Sequence, residues 1–191
     1  MKKLASTLIL GASLALSPLS QAADYVIDTK KAHASINFRV QHLGYSWLQG
    51  RFNNFSGNFS FDENAIENSS IDVEINPSSI DSNHAERDKH LRSDDFLDVK
   101  KYTQASFKSS SIKEKSDGRL EVNGTLTLRG ISKPVTIDAA FVGQGKDPWG
   151  GYRAGFTGTT SIALKDYGIN FNLGPASEIV HLQLEIEGIK K

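Results

Sequence analysis

The chain has 191 residues, 22 basic and 22 acidic side chains, and no cysteine. That length suits a single domain, and the missing cysteines exclude both a disulfide framework and a lipid-modified cysteine anchor. A balanced charge with no basic cluster argues against nucleic acid as a partner.

Residues 1–22 stand apart from the rest. Lys2 and Lys3 precede an apolar stretch from Leu8 to Leu16, and Ser20-Gln21-Ala22 puts small residues at the two positions a signal peptidase reads. The segment reads as a secretory signal cleaved after Ala22, with one domain over residues 23–191 and a periplasmic destination. An uncleaved anchor is the weaker reading, because the apolar run is short for a bilayer.

Beyond the leader, apolar and polar residues alternate in segment after segment. Successive strand side chains point to opposite faces, so each segment reads as a strand with one dry and one wet side. The first is Ala34, Ile36, Phe38 and Val40. Leu48, Gly50 and Phe52 follow, then Phe55, Gly57, Phe59 and Phe61 with the parity reversed. A one-residue bulge at Asn53-Asn54 would keep both sets on one face. Ile71, Val73 and Ile75 make a short strand that stops before Pro77. Ala105 and Phe107 begin another, which turns at Ser116-Asp117-Gly118. Arg119 to Arg129 alternates most regularly, with Leu120, Val122, Gly124, Leu126 and Leu128 on the dry side. Val135 to Phe141, Tyr152 to Leu164 and Val180 to Ile186 complete the series. About eight strands joined mostly by short turns predict an all-β fold, an antiparallel barrel or sandwich.

One stretch, Ile80 to Tyr102, breaks the pattern. Asn83 with Glu86 three residues on resembles a capping box, which predicts a short helix over His84 to Leu91 and a second turn over Ser93 to Leu97. Leu91 and Phe96 are its apolar residues.

The wet faces carry full charges, such as Arg119, Glu121, Glu185 and Glu187, which would be costly against lipid. The apolar face is therefore inside. An eight-stranded barrel is either filled by its own side chains or holds one small ligand. Gly50, Gly57, Gly124 and Gly158 share the inward parity, and two readings stay open: close backbone packing, or a cavity.

The segment His84-Ala85-Glu86-Arg87-Asp88-Lys89-His90-Leu91 through Tyr102-Thr103, with Asp81 before it, resembles the signature of the YceI-like family of periplasmic lipocalin-like proteins. His33 to Phe38 with His42, Gly50-Arg51-Phe52, Gly124 to Gly130, Asp147 to Phe156 and Lys165 to Gly168 resemble further motifs of that family. Thr103 departs from it where many members have proline. The resemblance covers essentially the whole chain after the leader. It implies an eight-stranded lipocalin-like barrel around an apolar tunnel, and a long-chain amphiphile as ligand: a polyisoprenoid, an isoprenoid quinone or a fatty-acid derivative. It implies no cofactor and no reaction.

The residues themselves offer no nucleophile, base and orienter set, and no phosphate loop. The chain therefore reads as a binding protein rather than an enzyme; an enzyme acting on such a lipid and a ligand-free stress-related structural protein are the alternatives. His84, Glu86, Asp88 and His90 have poor spacing for zinc, so charged caps and pairs explain them better than a metal. His33 and His181 fall on wet faces. His42 continues the inward parity to a strand end and so reaches a barrel mouth. Arg87 is the residue suited to a phosphate or carboxyl head group. The expected ligand-binding set is Phe38, His42, Phe52, Arg87, Leu91, Phe96, Phe107, Leu126, Leu128, Ile137, Phe141, Phe156 and Ile162, with the helical insertion as lid. The expected partner is a long-chain isoprenoid or other lipid, with no nucleic acid and no stable membrane insertion; a homodimer is compatible with this reading.

Overall fold

The computed structural model describes residues 22–31 and 33–191. The expected signal peptide lies outside the described residues except for Ala22. The strands are β1 (Ala23–Ile27), β2 (Ser35–His42), β3 (Ser46–Phe52), β4 (Phe55–Phe61), β5 (Ser70–Ile75), β6 (Ile80–Asp81), β7 (Ala105–Glu114), β8 (Leu120–Leu128), β9 (Ile131–Lys146), β10 (Tyr152–Ala163) and β11 (Ile179–Lys190), with one helix, α1 (Ala85–Leu91). Every ladder is antiparallel.

Eleven strand segments make eight barrel staves, because three staves are interrupted. β1 and β2 both pair with β11, at Tyr25–Lys190 and at Val40–Val180, and so form one stave. β3 and β4 form the second, pairing with β2 and β1 respectively. β5 and β6 form the third, joined by a turn at Pro77–Ser79. Each stave then pairs with the next in sequence, and β11 returns to the first, which closes an up-and-down eight-stranded barrel with no long free edge.

Two residues, Asn53 and Asn54, leave the ladder between β3 and β4, where the sequence suggested a one-residue bulge. Their amides are satisfied by Ser79, at the backbone oxygen for Asn53 (3.1 Å) and at Oγ for Asn54 (2.9 Å). The break does what the parity required: Phe52 and Phe55 both face inward, and Phe55 is buried.

The third stave is short at its β6 end. β7 pairs with β5 over residues 72–75, and residues 82–104 fill the seam beyond. Arg92 fixes this insertion to the sheet. Its guanidinium donates to the carbonyl oxygens of Ser78 (2.7 Å) and Ile80 (2.6 Å), which satisfies acceptors at the stave end. Arg129, in the turn directly after β8, does the same, donating to the Phe96 carbonyl at 2.6 Å.

The helix starts one residue later than expected and its cap is different. His84 is the N-cap, its Nδ1 accepting from the Arg87 amide at 3.2 Å. Asn83 sits in the left-handed region at φ 61°, which asparagine tolerates, and this geometry takes its side chain out of the capping position.

Tyr167 is 2% exposed, and its hydroxyl has no hydrogen-bond partner among the described residues. Burial and the charge of Asp166 push its pKa up to about 12. An unsatisfied buried hydroxyl costs free energy with no return. Tyr167→Phe is expected to stabilise the barrel by about 1 kcal/mol in urea denaturation.

Candidate functional site

The barrel interior holds an apolar cavity of about 290 Å³ at the end covered by the helical insertion. Ile36, Phe38, Val40 and His42 of β2 line it, with Leu48 and Phe52 of β3. Leu126 and Leu128 come from β8, Ile162 from β10, and Val180 and Leu182 from β11. Arg87, His90 and Leu91 of α1, then Phe96 and Leu97, form its cover. Leu173 and Ser177 complete the rim, where the Ser177 hydroxyl donates to the Gln41 carbonyl at 2.6 Å.

A second, smaller apolar cavity of about 80 Å³ lies further along the barrel. Phe59, Phe61, Ile71, Ile112, Leu120, Val122, Ile137, Ala139, Phe156 and Gly158 are among its lining residues.

The expected ligand set thus divides. Phe38, His42, Phe52, Arg87, Leu91, Phe96, Leu126, Leu128 and Ile162 converge on the large cavity. Ile137 and Phe156 face the small one. Phe107 is buried between them and lines neither. Phe141 has the inward parity but is 41% exposed, stacked on Phe61 with ring centroids 5.2 Å apart. It lies near the end of the barrel, one inward position past the Leu120–Ala139 pair where the β8 ladder ends, and it lines neither chamber.

The inward glycines do not create the large cavity. None of them lines it. A Cβ at Gly50 would overlap the Phe38 ring, and one at Gly124 would overlap the Phe107 ring. Gly50 and Gly124 make room for aromatic rings of neighbouring strands and Gly57 for the Asp72 carbonyl and Ile27, so the packing reading holds at these three, while Gly158 lines the small cavity. Leu, Ile and Val side chains line most of the large cavity instead.

Polar groups in the large cavity gather at its covered end. Arg87 is half-buried. Its Nε donates to Ser82 Oγ at 2.7 Å and its Nη2 to the Ser82 carbonyl. Asp88 is buried and accepts from the Ser82 amide at 2.8 Å and the Ser82 hydroxyl at 2.5 Å. The two neighbours therefore both grip Ser82, which pins the helix to the chain leaving β6. His90 is held by Asp95, Nε2 to Oδ2 at 2.9 Å, and its ring edges against Phe96 and Phe171. His84, Glu86, Asp88 and His90 thus serve four separate partners: the Arg87 amide, Lys89, Ser82 and Asp95. Asp88→Ala is expected to loosen the cover. Hydrogen exchange should show lost protection over residues 82–97 with barrel strands β8 to β11 unchanged.

A second polar cluster escaped the sequence reading. Arg153 donates to Asp28 Oδ2 (2.7 Å), Asp147 Oδ2 (2.7 Å) and Glu187 Oε1 (2.5 Å), and His33 Nδ1 lies 3.1 Å from Asp28. Asp28, His33 and Glu187 have the donor types of a metal site. The Arg153 guanidinium already occupies the position a cation would take. Asp147 was legible only within a family motif, and Asp28 gave no signal at all.

A closed up-and-down barrel with an apolar chamber and a few polar groups at its mouth defines a lipocalin-like barrel. The YceI-like domain model matches residues 25–188, and the chain belongs to that family. UPF0312 proteins of Shewanella denitrificans and Shewanella baltica are 58% and 55% identical to it over 191 residues, covering all of both chains. The Campylobacter jejuni YCEI protein is 29% identical, with a TM-score of 0.71 over 80% of this chain and 90% of that one. Burkholderia cenocepacia BcnA shares the fold at 22% identity, with a TM-score of 0.74 over 84% of this chain and 98% of that one. A polyisoprenoid binding domain from Saccharophagus degradans shares it at 14% identity, with a TM-score of 0.64 over 90% of this chain and all of that one.

Proposed function

We propose that this protein binds and carries a long-chain amphiphilic lipid, a polyisoprenoid, an isoprenoid quinone or a fatty-acid derivative, in the periplasm. The observation that carries the reading is the apolar chamber of about 290 Å³ whose polar lining residues sit at the end under α1. An apolar chain gains roughly 25 cal/mol for each Å² it removes from water, so such a chamber favours hydrocarbon over any polar solute. Arg87 keeps guanidinium capacity beyond its two bonds to Ser82, and together with His42 it suits a phosphate, carboxyl or quinone head. The polyisoprenoid binding domain of Saccharophagus degradans, with the same fold, supports the same ligand class. The leader at residues 1–22 supports export.

In this reading the protein holds its ligand by the apolar tail and performs no chemistry on it. Native mass spectrometry of protein purified from its own periplasm, without delipidation, tests the proposal. A co-purifying lipid whose retention falls in Arg87→Ala is the expected result. A lipid-free protein that also fails to take up prenols from detergent would overturn it.

A further inference from the structure

The two chambers lie end to end along the same strands and share no lining residue. On β5, Ile75 lines the large chamber and Ile71 the small one, with Val73 between. On β7 the order is Ala105, Phe107 and Ile112. On β8 it is Leu126, Gly124 and Val122. Val73, Phe107 and Gly124 of three adjacent strands therefore lie in a layer that lines neither chamber, whereas on β11 Leu182 and Leu184 line the large and the small chamber in turn. Register joins Val73 to Phe107 directly, and the Phe107 ring reaches Gly124 diagonally, one inward position beyond its own partner Leu126. Its one large side chain is Phe107, 6% exposed, and its ring fills the space that Gly124 leaves open.

Resting on the lipid-binding reading above, we propose that Phe107, seated over Gly124, is the chain-length stop of the binding chamber. A ligand tail enters under α1 and ends at the Phe107 ring. A cavity of roughly 150 Å³ takes a six-carbon ring, so the large chamber takes about ten to twelve carbons, or two isoprene units. Longer tails must leave their excess at the mouth. The small chamber, itself apolar, adds depth only where the stop is removed.

Geraniol, farnesol and geranylgeraniol, which lengthen by one isoprene unit each, are the probes. Their affinities are measured by competition against a fluorescent fatty acid in detergent below its micelle concentration. Wild-type protein should gain little beyond geraniol, within about threefold, because added methylenes stay in water. Phe107→Ala joins the chambers and should bind geranylgeraniol at least about tenfold more tightly than geraniol. Phe107→Leu keeps an apolar side chain in the layer and serves if the alanine variant does not fold; it should shift the profile in the same direction by a smaller factor. An unchanged profile in the folded variant overturns the stop while leaving lipid binding intact. A wild-type protein that binds none of the probes overturns both readings.

Discussion

Leu126→Glu is expected to leave the protein unable to hold lipid and close to unfolded. Leu126 is 8% exposed, packs in the core with Phe107, Val122 and Ile162, and lines the large chamber. A carboxylate there loses its hydration and meets only hydrocarbon, and an uncompensated buried charge costs about 4 kcal/mol or more. Domains of this kind have roughly 5–15 kcal/mol in total. Thr125→Glu is the matched control, one residue away. Thr125 is exposed on the wet face and sits opposite Lys108, so a glutamate gains a cross-strand partner, and the change should stay within about 0.5 kcal/mol. Circular-dichroism melts and lipid retention in native mass spectra read both effects. Similar losses at the two positions would mean that the dry and wet faces of β8 are assigned the wrong way round.

That contrast shows what was legible in the chain. β8 could be read because charges mark its wet face, so parity alone gives its orientation. The same logic placed Phe38, Phe52, Leu126, Leu128 and Ile162 around one interior, and the apolar residues of the insertion between Ile80 and Tyr102 identified Leu91 and Phe96 as its cover. Parity does not give depth along the barrel. Phe141, Phe156, Ile137 and Phe107 have inward positions like the others, yet they lie at the end, beside the small chamber or between chambers. Nor does it say which ring covers a glycine, since Phe107 reaches Gly124 across a strand pair. β1 was invisible because its five residues, Ala23–Ile27, carry too short an alternation, although Tyr25 and Ile27 are among the most buried side chains. The Arg153 cluster was invisible because Asp28 and Arg153 are 125 residues apart, and no local pattern joins them.

That cluster gives the second large effect, and pH is the variable that isolates it. Asp28 and Asp147 are 4% and 7% exposed at their side chains, both paired with one guanidinium that is itself 14% exposed. Burial alone would raise the Asp28 carboxyl, but the hydrogen bonds from Arg153, His33 and the Lys31 amide outweigh it and leave its pKa below the usual aspartate value. The Arg153 hydrogen bond holds Asp147 down as well, opposed by burial and helped by the amides of Gly151 and Trp149. Arg153 in turn is shifted further up by the same carboxylates. Unfolded aspartates titrate near about 3.9, so a carboxylate depressed in the folded state contributes its stability above that pH. The contribution falls away as the pH drops through the folded pKa. Arg153→Met keeps most of the volume and removes the cation. At neutral pH it leaves buried carboxylates facing one another, and the melting temperature should fall by roughly ten degrees. Towards pH 3 those carboxylates take up protons in the variant, where burial now raises their pKa values, while the wild type is losing its pairing. The gap between the two melting temperatures should therefore narrow steadily below about pH 5. A gap that stays constant from neutral pH to pH 3 would assign Arg153 a packing role and remove the charge network from the account of how β1, β10 and β11 are held together.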